Sequence, residues 1–295
     1  MPPKKVIKSA PANNTTHCLI EKWFGRLGNN IIQIINSITF AKLMQLDYVY
    51  LGKPHSYLSS RVINVSGTPI AFTSKTSECK HKHTYYHTDD IPELQNSLSH
   101  RDTSYEIFHT YIKPIYIHSK IHCLAPADTD STLYIHIRSG DIFSKAKPHK
   151  LYVQPPLSYY DHIITLQKPS HIILVSEDRL NPCINALLTK YASMITHVCK
   201  PGDPKDDIAV LCQAKNIVFG LGTFSYLIMC ISGNLANVWF PKYDSDTVVY
   251  SSLSHIQGTC ISLPGYMKPG EWANTPEQRK LMLEYELPDH VAKDG

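Results

Sequence analysis

Three short clusters in this 295-residue chain join residue types that can hold an anionic substrate and act on it. The densest is Ile135-His136-Ile137-Arg138-Ser139-Gly140-Asp141-Ile142-Phe143. Its apolar character predicts a strand ending at about Arg138, so His136, Arg138 and Asp141 lie at or just past a carboxyl end, where open α/β sheets bind ligands. Arginine there offers a permanently charged planar fork suited to a pyrophosphate. The plainer account is that Arg138 and Asp141 pair only to pin a surface loop. The second cluster, Gly25-Arg26-Leu27-Gly28-Asn29-Asn30, is a glycine-bearing turn ahead of an apolar helix. Glycines let the backbone approach a ligand, and N–H groups at a helix start favour anions. It is neither a GxGxxG nor a P-loop, because no Gly-Lys-Ser/Thr follows; by itself, an ordinary tight turn is the better account. The third begins with Asp206-Asp207 at a helix start and continues through Asn216–Gly222 to Thr223-Phe224-Ser225. Backbone N–H groups with the Thr223 and Ser225 hydroxyls can hold phosphate oxygens, or those hydroxyls can simply cap a helix.

Regular elements must position these clusters. Residues 1–17 read as a disordered tail. After the turn at Gly25, the apolar residues Ile31, Ile34, Ile35, Ile38 and Ala41 recur at helical spacing and predict a buried helix from about Asn30 to Gln45. A strand follows at Asp47–Leu51, whereas residues 52–126 show weak periodicity and no assignable sheet. From Ser131 the pattern sharpens. Strands are predicted at Leu133–Ile137, His171–Ser176, Met194–Cys199, Asn216–Phe219 and Asn237–Phe240. Helices between them are predicted at Ser158–Leu166, Asn181–Tyr191, Asp206–Ala214 and Phe224–Ile231. That alternation indicates a mostly parallel sheet covered by helices, an α/β class. Thr275-Pro276-Glu277-Gln278 is a helix-start signature for a C-terminal helix to about Leu287. The expected organisation is an N-terminal domain at 18–126, a second domain at 127–260 and a C-terminal helical tail at 261–295.

Composition narrows the function classes. The chain is 43% apolar and 18% charged, so a sizeable core can form and wholesale disorder is excluded. A net charge of +4, with no block of five like charges, gives no nucleic-acid footprint. No run of 18 apolar residues predicts a membrane span, and the polar N-terminus has no secretory core. The eight cysteines form no CxxC pair. They are read as reduced thiols of a cytoplasmic protein rather than a disulfide framework.

The order Gly25-x-Leu27-Gly28-Asn29, then His136-x-Arg138-x-Gly140-Asp141, then an acidic helix leading to Thr223-Phe224-Ser225, resembles family 11 glycosyltransferases. These belong to the wider α1,2-, α1,6- and protein O-fucosyltransferase superfamily. The matching segments span about Phe24 to Ile231, and three motifs in order are more specific than any one. The resemblance implies an inverting, metal-independent GT-B enzyme: two Rossmann-like domains, a nucleotide-sugar donor mostly on the second, and no cofactor. GDP-fucose is the first-choice donor and a UDP-sugar such as UDP-xylose the alternative, with a glycan hydroxyl as acceptor.

By the same resemblance, Arg138 grips the donor β-phosphate, and His136 beside it contacts the donor or orients the loop. Thr223, Phe224 and Ser225 contact phosphate and nucleoside, and Asp206 or Asp207 lies near base or ribose. Gly25, Arg26, Gly28 and Asn29 form the first-domain loop facing the reaction centre. Asp141 is the candidate base and Asn29 the acceptor-positioning group. The chain departs from the family pattern at Asn30, in place of the usual glutamine, at Ser139, in place of a second arginine, and at Tyr226-Leu227.

Other chemistries are weaker. Asp128-x-Asp130 precedes its strand and Asp244-x-Asp246 follows Pro241-Lys242, so neither stands where a metal-dependent transferase needs it. Cys79-x-His81-x-His83 with His87 suggests zinc, but no second ligand pair stands at finger spacing. A non-catalytic nucleotide- or glycan-binding protein on the same scaffold is the remaining alternative.

Overall fold

A computed structural model describes residues 17–67, 81–87, 91–95, 101–116, 130–199, 204–244, 253 and 255–288. The chain divides into two compact units, Met1–His118 and Ser119–Gly295, whereas the expected division lay eight residues later, at 126. Residues 1–16 of the expected tail lie outside the described residues, and His17 already opens a strand.

In the first unit, β1 (His17–Ile20) leads through the Gly25 turn into α1 (Leu27–Leu43), which returns the chain to β2 (Tyr48–Leu51). β1 lies between β2 and β4 (His81–His83), parallel to both, and β2 pairs antiparallel with β3 (Val62–Asn64). Helix α1 begins three residues before the expected Asn30. It stops where Gln45 takes a left-handed backbone (φ 53°), with the Leu46 N–H turned back to the Ala41 carbonyl at 2.7 Å. Ile31, Ile34 and Ile38 on α1 are fully buried. So are the amide-bearing residues between them, and burial right around a helix requires partners for those amides. α2 (Pro92–Gln95) and α3 (Arg101–Ile107), the latter running into a π-helical turn at Phe108–Ile112, pack against α1.

In the second unit, the described residues form a six-stranded, wholly parallel sheet. Its strands are β5 (Thr132–Ile137), β6 (His171–Ser176), β7 (Ile195–Cys199), β8 (Asn216–Phe219), β9 (Asn237–Lys242) and β10 (Gln257–Ser262), in spatial order β10-β9-β8-β5-β6-β7. Ranked by position in the unit this is 3-2-1-4-5-6, the order of the doubly wound nucleotide-binding sheet. The flanking helices are α4 (Asp141–Ser144), α5 (Leu157–Gln167), α6 (Pro182–Lys190), α7 (Lys205–Leu211), α8 (Phe224–Ile231) and α9 (Pro276–Glu284). Leu133, Ile135, Ile137, Ile172 and Leu174 alternate into a core completed by Tyr159, Tyr160 and Trp272.

The α/β class is therefore as expected, and five strands of this sheet stand within a residue or two of their predicted positions. β10 was not predicted and runs across the expected boundary at 260. The C-terminal segment belongs to this unit: the capping box at Thr275 starts α9, which packs on α5 and α6 and ends at Glu284 instead of Leu287. No helix among the described residues is long and apolar enough to cross a membrane.

Candidate functional site

From β5 the chain goes to β6 and β7 on one side and later returns to β8, β9 and β10 on the other. The sheet's switch point therefore lies between the carboxyl ends of β5 and β8, where doubly wound sheets leave a ligand crevice. β5 delivers Arg138-Ser139-Gly140-Asp141 to this place, and β8 delivers Gly220-Leu221-Gly222-Thr223. Two of the sequence clusters, some eighty residues apart, thus meet. His136 pairs in register with Phe219 and packs its ring on Phe224 with centroids 5.0 Å apart.

Arg138 is the centre of the arrangement. Its guanidinium carbon lies 4.0 Å from the centroid of the Tyr152 ring. Nη2 is 3.4 Å from Asp141 Oδ1, and Nη1 is 3.3 Å from the position that a Cβ on Gly222 would take. The same Asp141 carboxylate is 3.9 Å from Lys145 Nζ. The pairing with Asp141 is the loop-pinning contact anticipated from the sequence, yet it does not satisfy the arginine. A guanidinium has five N–H donors, and Nε of Arg138 is buried without a hydrogen-bond partner. Burial, with the neighbouring Arg138 charge as the lesser cause, lowers the His136 pKa to about 4, so the imidazole is neutral at pH 7.

The loops around Arg138 are held from behind. The Ser139 hydroxyl and the Gly140 N–H (3.3 Å) both donate to Asp178 Oδ1, which also accepts the Leu180 N–H at 2.9 Å. Asn181 Nδ2 donates to the Arg138 carbonyl at 3.1 Å. Gly140 has φ 61°, a left-handed backbone that favours glycine in this turn, and the Glu177 carboxylate lies where a Cβ on it would stand. The fully buried Gln154 donates to the Leu221 carbonyl at 3.1 Å, and Tyr159 donates to that of Phe219 at 2.9 Å. The last turn of α4 has its carbonyls capped by distant side chains. Trp272 Nε1 donates to Ile142 at 3.0 Å; Asn274 Nδ2 and Arg279 Nη2 donate to Phe143 at 2.9 and 2.6 Å.

The other expected residues fall into three groups. Thr223 is the N-cap residue of α8 with a helical backbone and no side-chain cap bond, and Ser225 is buried with its hydroxyl donating to the Gly222 carbonyl at 2.8 Å. The capping alternative is therefore not what these hydroxyls do. Asp206 is exposed and Asp207 buried in the first turn of α7, the helix that follows β7, and β7 is two strands along the sheet from β5. Gly25, Arg26, Gly28 and Asn29 belong to the first unit.

In that unit Gly25 has φ 68°, and a Cβ on it would collide with the Asn29 side chain. Arg26 is exposed, whereas Gly28 and Asn29 are buried. Behind the turn, Gln33 accepts the Phe24 N–H at 2.8 Å and donates to the Thr84 and Lys22 carbonyls at 2.6 and 3.1 Å. Asn30 Nδ2 donates to the Phe24 carbonyl at 3.0 Å, and Asn36 Nδ2 donates to that of Tyr85 at 2.7 Å. His55 completes the network: Nδ1 accepts the Tyr57 N–H at 3.2 Å, so Nε2 carries the proton and donates to Asn30 Oδ1 at 3.1 Å. Burial lowers the His55 pKa to about 4, in keeping with that neutral tautomer.

Among the described residues, no three His, Cys, Asp or Glu side chains converge as a metal site. Asp130 pairs with Lys215 at 2.6 Å, and Asp244 accepts the Gly265 N–H at 2.7 Å; Cys79, Asp128 and Asp246 lie outside the described residues. Sequence reasoning did not identify Tyr152, Gln154, Glu177 or Asp178 as contributors. The available signal for the last two was an acidic pair directly after an apolar strand, the same position relative to its strand that Arg138 has. No protein-family model matches the chain, and no curated protein matches it.

Proposed function

We propose that the chain is an inverting, metal-independent glycosyltransferase of GT-B architecture, related to fucosyltransferases. It moves a sugar from a nucleoside diphosphate to a glycan hydroxyl. GDP-fucose is the first-choice donor and a UDP-sugar the alternative, both by the resemblance of the motifs. The observation that carries the reading is Arg138, a half-buried cation at the switch point with Nε left without a partner. Two units, one with a wholly parallel sheet and one with a mixed sheet in which β1 runs parallel to both its neighbours, are also compatible with such an enzyme.

In this reading the acceptor oxygen attacks the anomeric carbon from the face opposite the diphosphate. The bond from that carbon to the β-phosphate oxygen breaks, its electron pair leaves with the diphosphate, and the configuration inverts. Arg138 and the N–H groups of the Gly220–Ser225 turn offset the charge that develops on the leaving group. Neutral His136, packed on Phe224, shapes the crevice wall without adding a second cation. Asp141 is the candidate acceptor of the proton from the hydroxyl, and its ion pair gives it a second role, aiming the guanidinium. Asn29, buried over Gly25, is better suited to shaping its turn than to touching the acceptor.

The test is an equilibrium titration of the full chain with GDP, UDP, GDP-fucose and UDP-xylose in the presence of EDTA. Selective binding of the guanine compounds supports the fucosyltransferase reading, and selective binding of the uracil compounds replaces the donor. Binding by neither, or binding that EDTA abolishes and Mn²⁺ restores, sinks the metal-independent reading. Slow donor hydrolysis by the bound protein separates a transferase from a non-catalytic nucleotide-binding protein.

A further inference from the structure

We infer that Tyr152 is a positioning residue for Arg138: its ring sets the plane of the guanidinium, so that the arginine meets the terminal phosphate of a diphosphate edge-on. The inference rests on the reading that this crevice holds a nucleoside diphosphate. Its basis is the shape of the arginine head. A guanidinium is planar and its five N–H donors lie in that plane, so a phosphate is bonded only at its edges. A contact on the face therefore orients the group without using a donor, whereas a contact on the edge takes one. Arg138 Cζ lies over the Tyr152 ring, 4.0 Å from its centroid, a van der Waals distance at which an arginine head stacks. Asp141 Oδ1 stands at the edge, 3.4 Å from Nη2, a long contact for a charged pair. Nη1 is turned toward the β8 turn, 3.3 Å from where a Cβ on Gly222 would stand, and Nε has no partner. The ring thus aims a head whose edge is held only loosely.

The segment that carries the ring is itself held along its length. The Lys150 carbonyl accepts the Gly270 N–H at 3.0 Å, and the Tyr152 N–H donates to the His149 carbonyl at 3.0 Å. The Val153 and Gln154 carbonyls accept the hydroxyls of Tyr243 and Tyr266 at 3.2 and 3.1 Å. Pro155 and Pro156, both buried, restrict the backbone that leads into α5. Two residues beyond the ring, Gln154 Nε2 donates to the Leu221 carbonyl at 3.1 Å. One short segment between α4 and α5 therefore bears on both turns of the switch point, with Tyr152 against the arginine after β5 and Gln154 on the carbonyl after β8. That arrangement sets the guanidinium plane relative to the N–H groups of the Gly220–Ser225 turn. None of these contacts uses the Tyr152 hydroxyl, so an aromatic face is what the position requires. Without that face the long arginine side chain is free to turn onto Asp141, whose carboxylate then takes the donors in place of a ligand.

The experiment compares the full chain's affinity for GDP and GMP, and for UDP and UMP, in wild type, Tyr152→Leu and Tyr152→Phe, read on whichever base wild type binds. Circular dichroism of each variant establishes that it is folded. Wild type is expected to prefer the diphosphate by about tenfold, the size of one hydrogen bond between charged groups. Tyr152→Leu is expected to cut that preference to about threefold or less, mainly by weakening the diphosphate. Tyr152→Phe keeps the face without the hydroxyl and should hold the preference to within about twofold of wild type. A ring that only packs the crevice wall predicts instead that Tyr152→Leu weakens mono- and diphosphate equally, so a preference that survives in Tyr152→Leu overturns the inference. A loss in Tyr152→Phe as large as in Tyr152→Leu assigns the effect to the hydroxyl and overturns it too. Equal wild-type affinity for mono- and diphosphate overturns it while leaving the nucleotide site in place. If Tyr152→Leu does not fold, Tyr152→Met, an adaptable apolar side chain without an aromatic face, decides in its place by the same ratio. Failure of all four nucleotides to bind wild type overturns the nucleotide reading itself.

Discussion

Each unit carries a glycine turn at the carboxyl end of an interior strand, β1 in the first and β5 in the second, and the two turns are completed differently. Behind the first stand neutral amides, Asn30, Gln33 and Asn36, whose donors meet the carbonyls of Phe24, Lys22, Thr84 and Tyr85. An amide carries both donors and an acceptor, so it can close a loop without burying charge. Behind the second stands an arginine with only donors, met by one carboxylate at 3.4 Å and one aromatic face. The similar position in the sheet thus serves two ends. The first turn is locked by its own protein, whereas the second keeps donor capacity that an anion can use.

The comparison is tested most sharply at Arg138. Arg138→Ala is expected to weaken nucleotide affinity or turnover by about 100-fold or more, as loss of a charged donor to a phosphate does. The melting temperature should stay within about 4 °C of wild type, because a partly exposed ion pair contributes little to stability. Calorimetric titration and thermal denaturation of one sample decide it, and undiminished affinity would remove the contrast between the turns.

The opposite pattern is expected at Gln33. Gln33→Leu strands an N–H and two carbonyls inside the first unit and should cost about 2–4 kcal/mol in urea denaturation, with nucleotide affinity below the transition unchanged. Wild-type stability in Gln33→Leu would mean that the amide network does not hold the turn.

The smallest effect is on pH dependence. The folded-state pKa of His55 is about 4, below the ordinary 6.5, so the unfolded chain binds the extra proton first. Its stabilising contribution is complete above pH 6.5 and is lost as the pH falls from there toward 4. His136 acts in the same direction in the second unit. The urea midpoint of wild type should therefore fall over that window. His55→Gln should remove roughly 1–2 kcal/mol of the change, a figure reduced for the partial exposure of the ring. An unaltered acid limb in His55→Gln would show that the network tolerates the imidazolium.

Four strands of the second unit, β5, β6, β8 and β9, were legible in the sequence because they are largely buried and read as apolar runs, as His171–Ser176 does. β10 was not, because Gln257, Gly258 and Cys260 are exposed and only Ile261 is buried. In the first unit β3 and β4 are three residues each, and His81-Lys82-His83 has no apolar signal; both strands exist through pairing with β2 and β1. The same limit applies to the site. His136 and Phe224 lie within local patterns, so their meeting followed from the strand–helix alternation. Tyr152 reaches the guanidinium from a loop between α4 and α5, and Gln154 holds Leu221 from 67 residues away. No spacing rule reports such partners. Gln33 and Asn36 present a related difficulty, since a polar residue on an apolar helix reads as exposed until the carbonyl it meets is known.

The capping of α4 also bears on when the site can exist. Its carbonyls at Ile142 and Phe143 are met by Trp272 and Arg279, 130 and 136 residues further along the chain. At a synthesis rate of roughly 5–20 residues per second, about 7–27 seconds separate the emergence of the arginine-bearing turn from that of the side chains that hold it. During that interval β5 and its neighbours can pair, but the helix carrying Asp141 ends in bare carbonyls and Trp272 has not yet filled the core. The nascent chain thus has all its strands before the arginine-bearing turn is held in place. A ribosome-bound chain halted before Trp272 should be compact yet unable to retain a nucleotide.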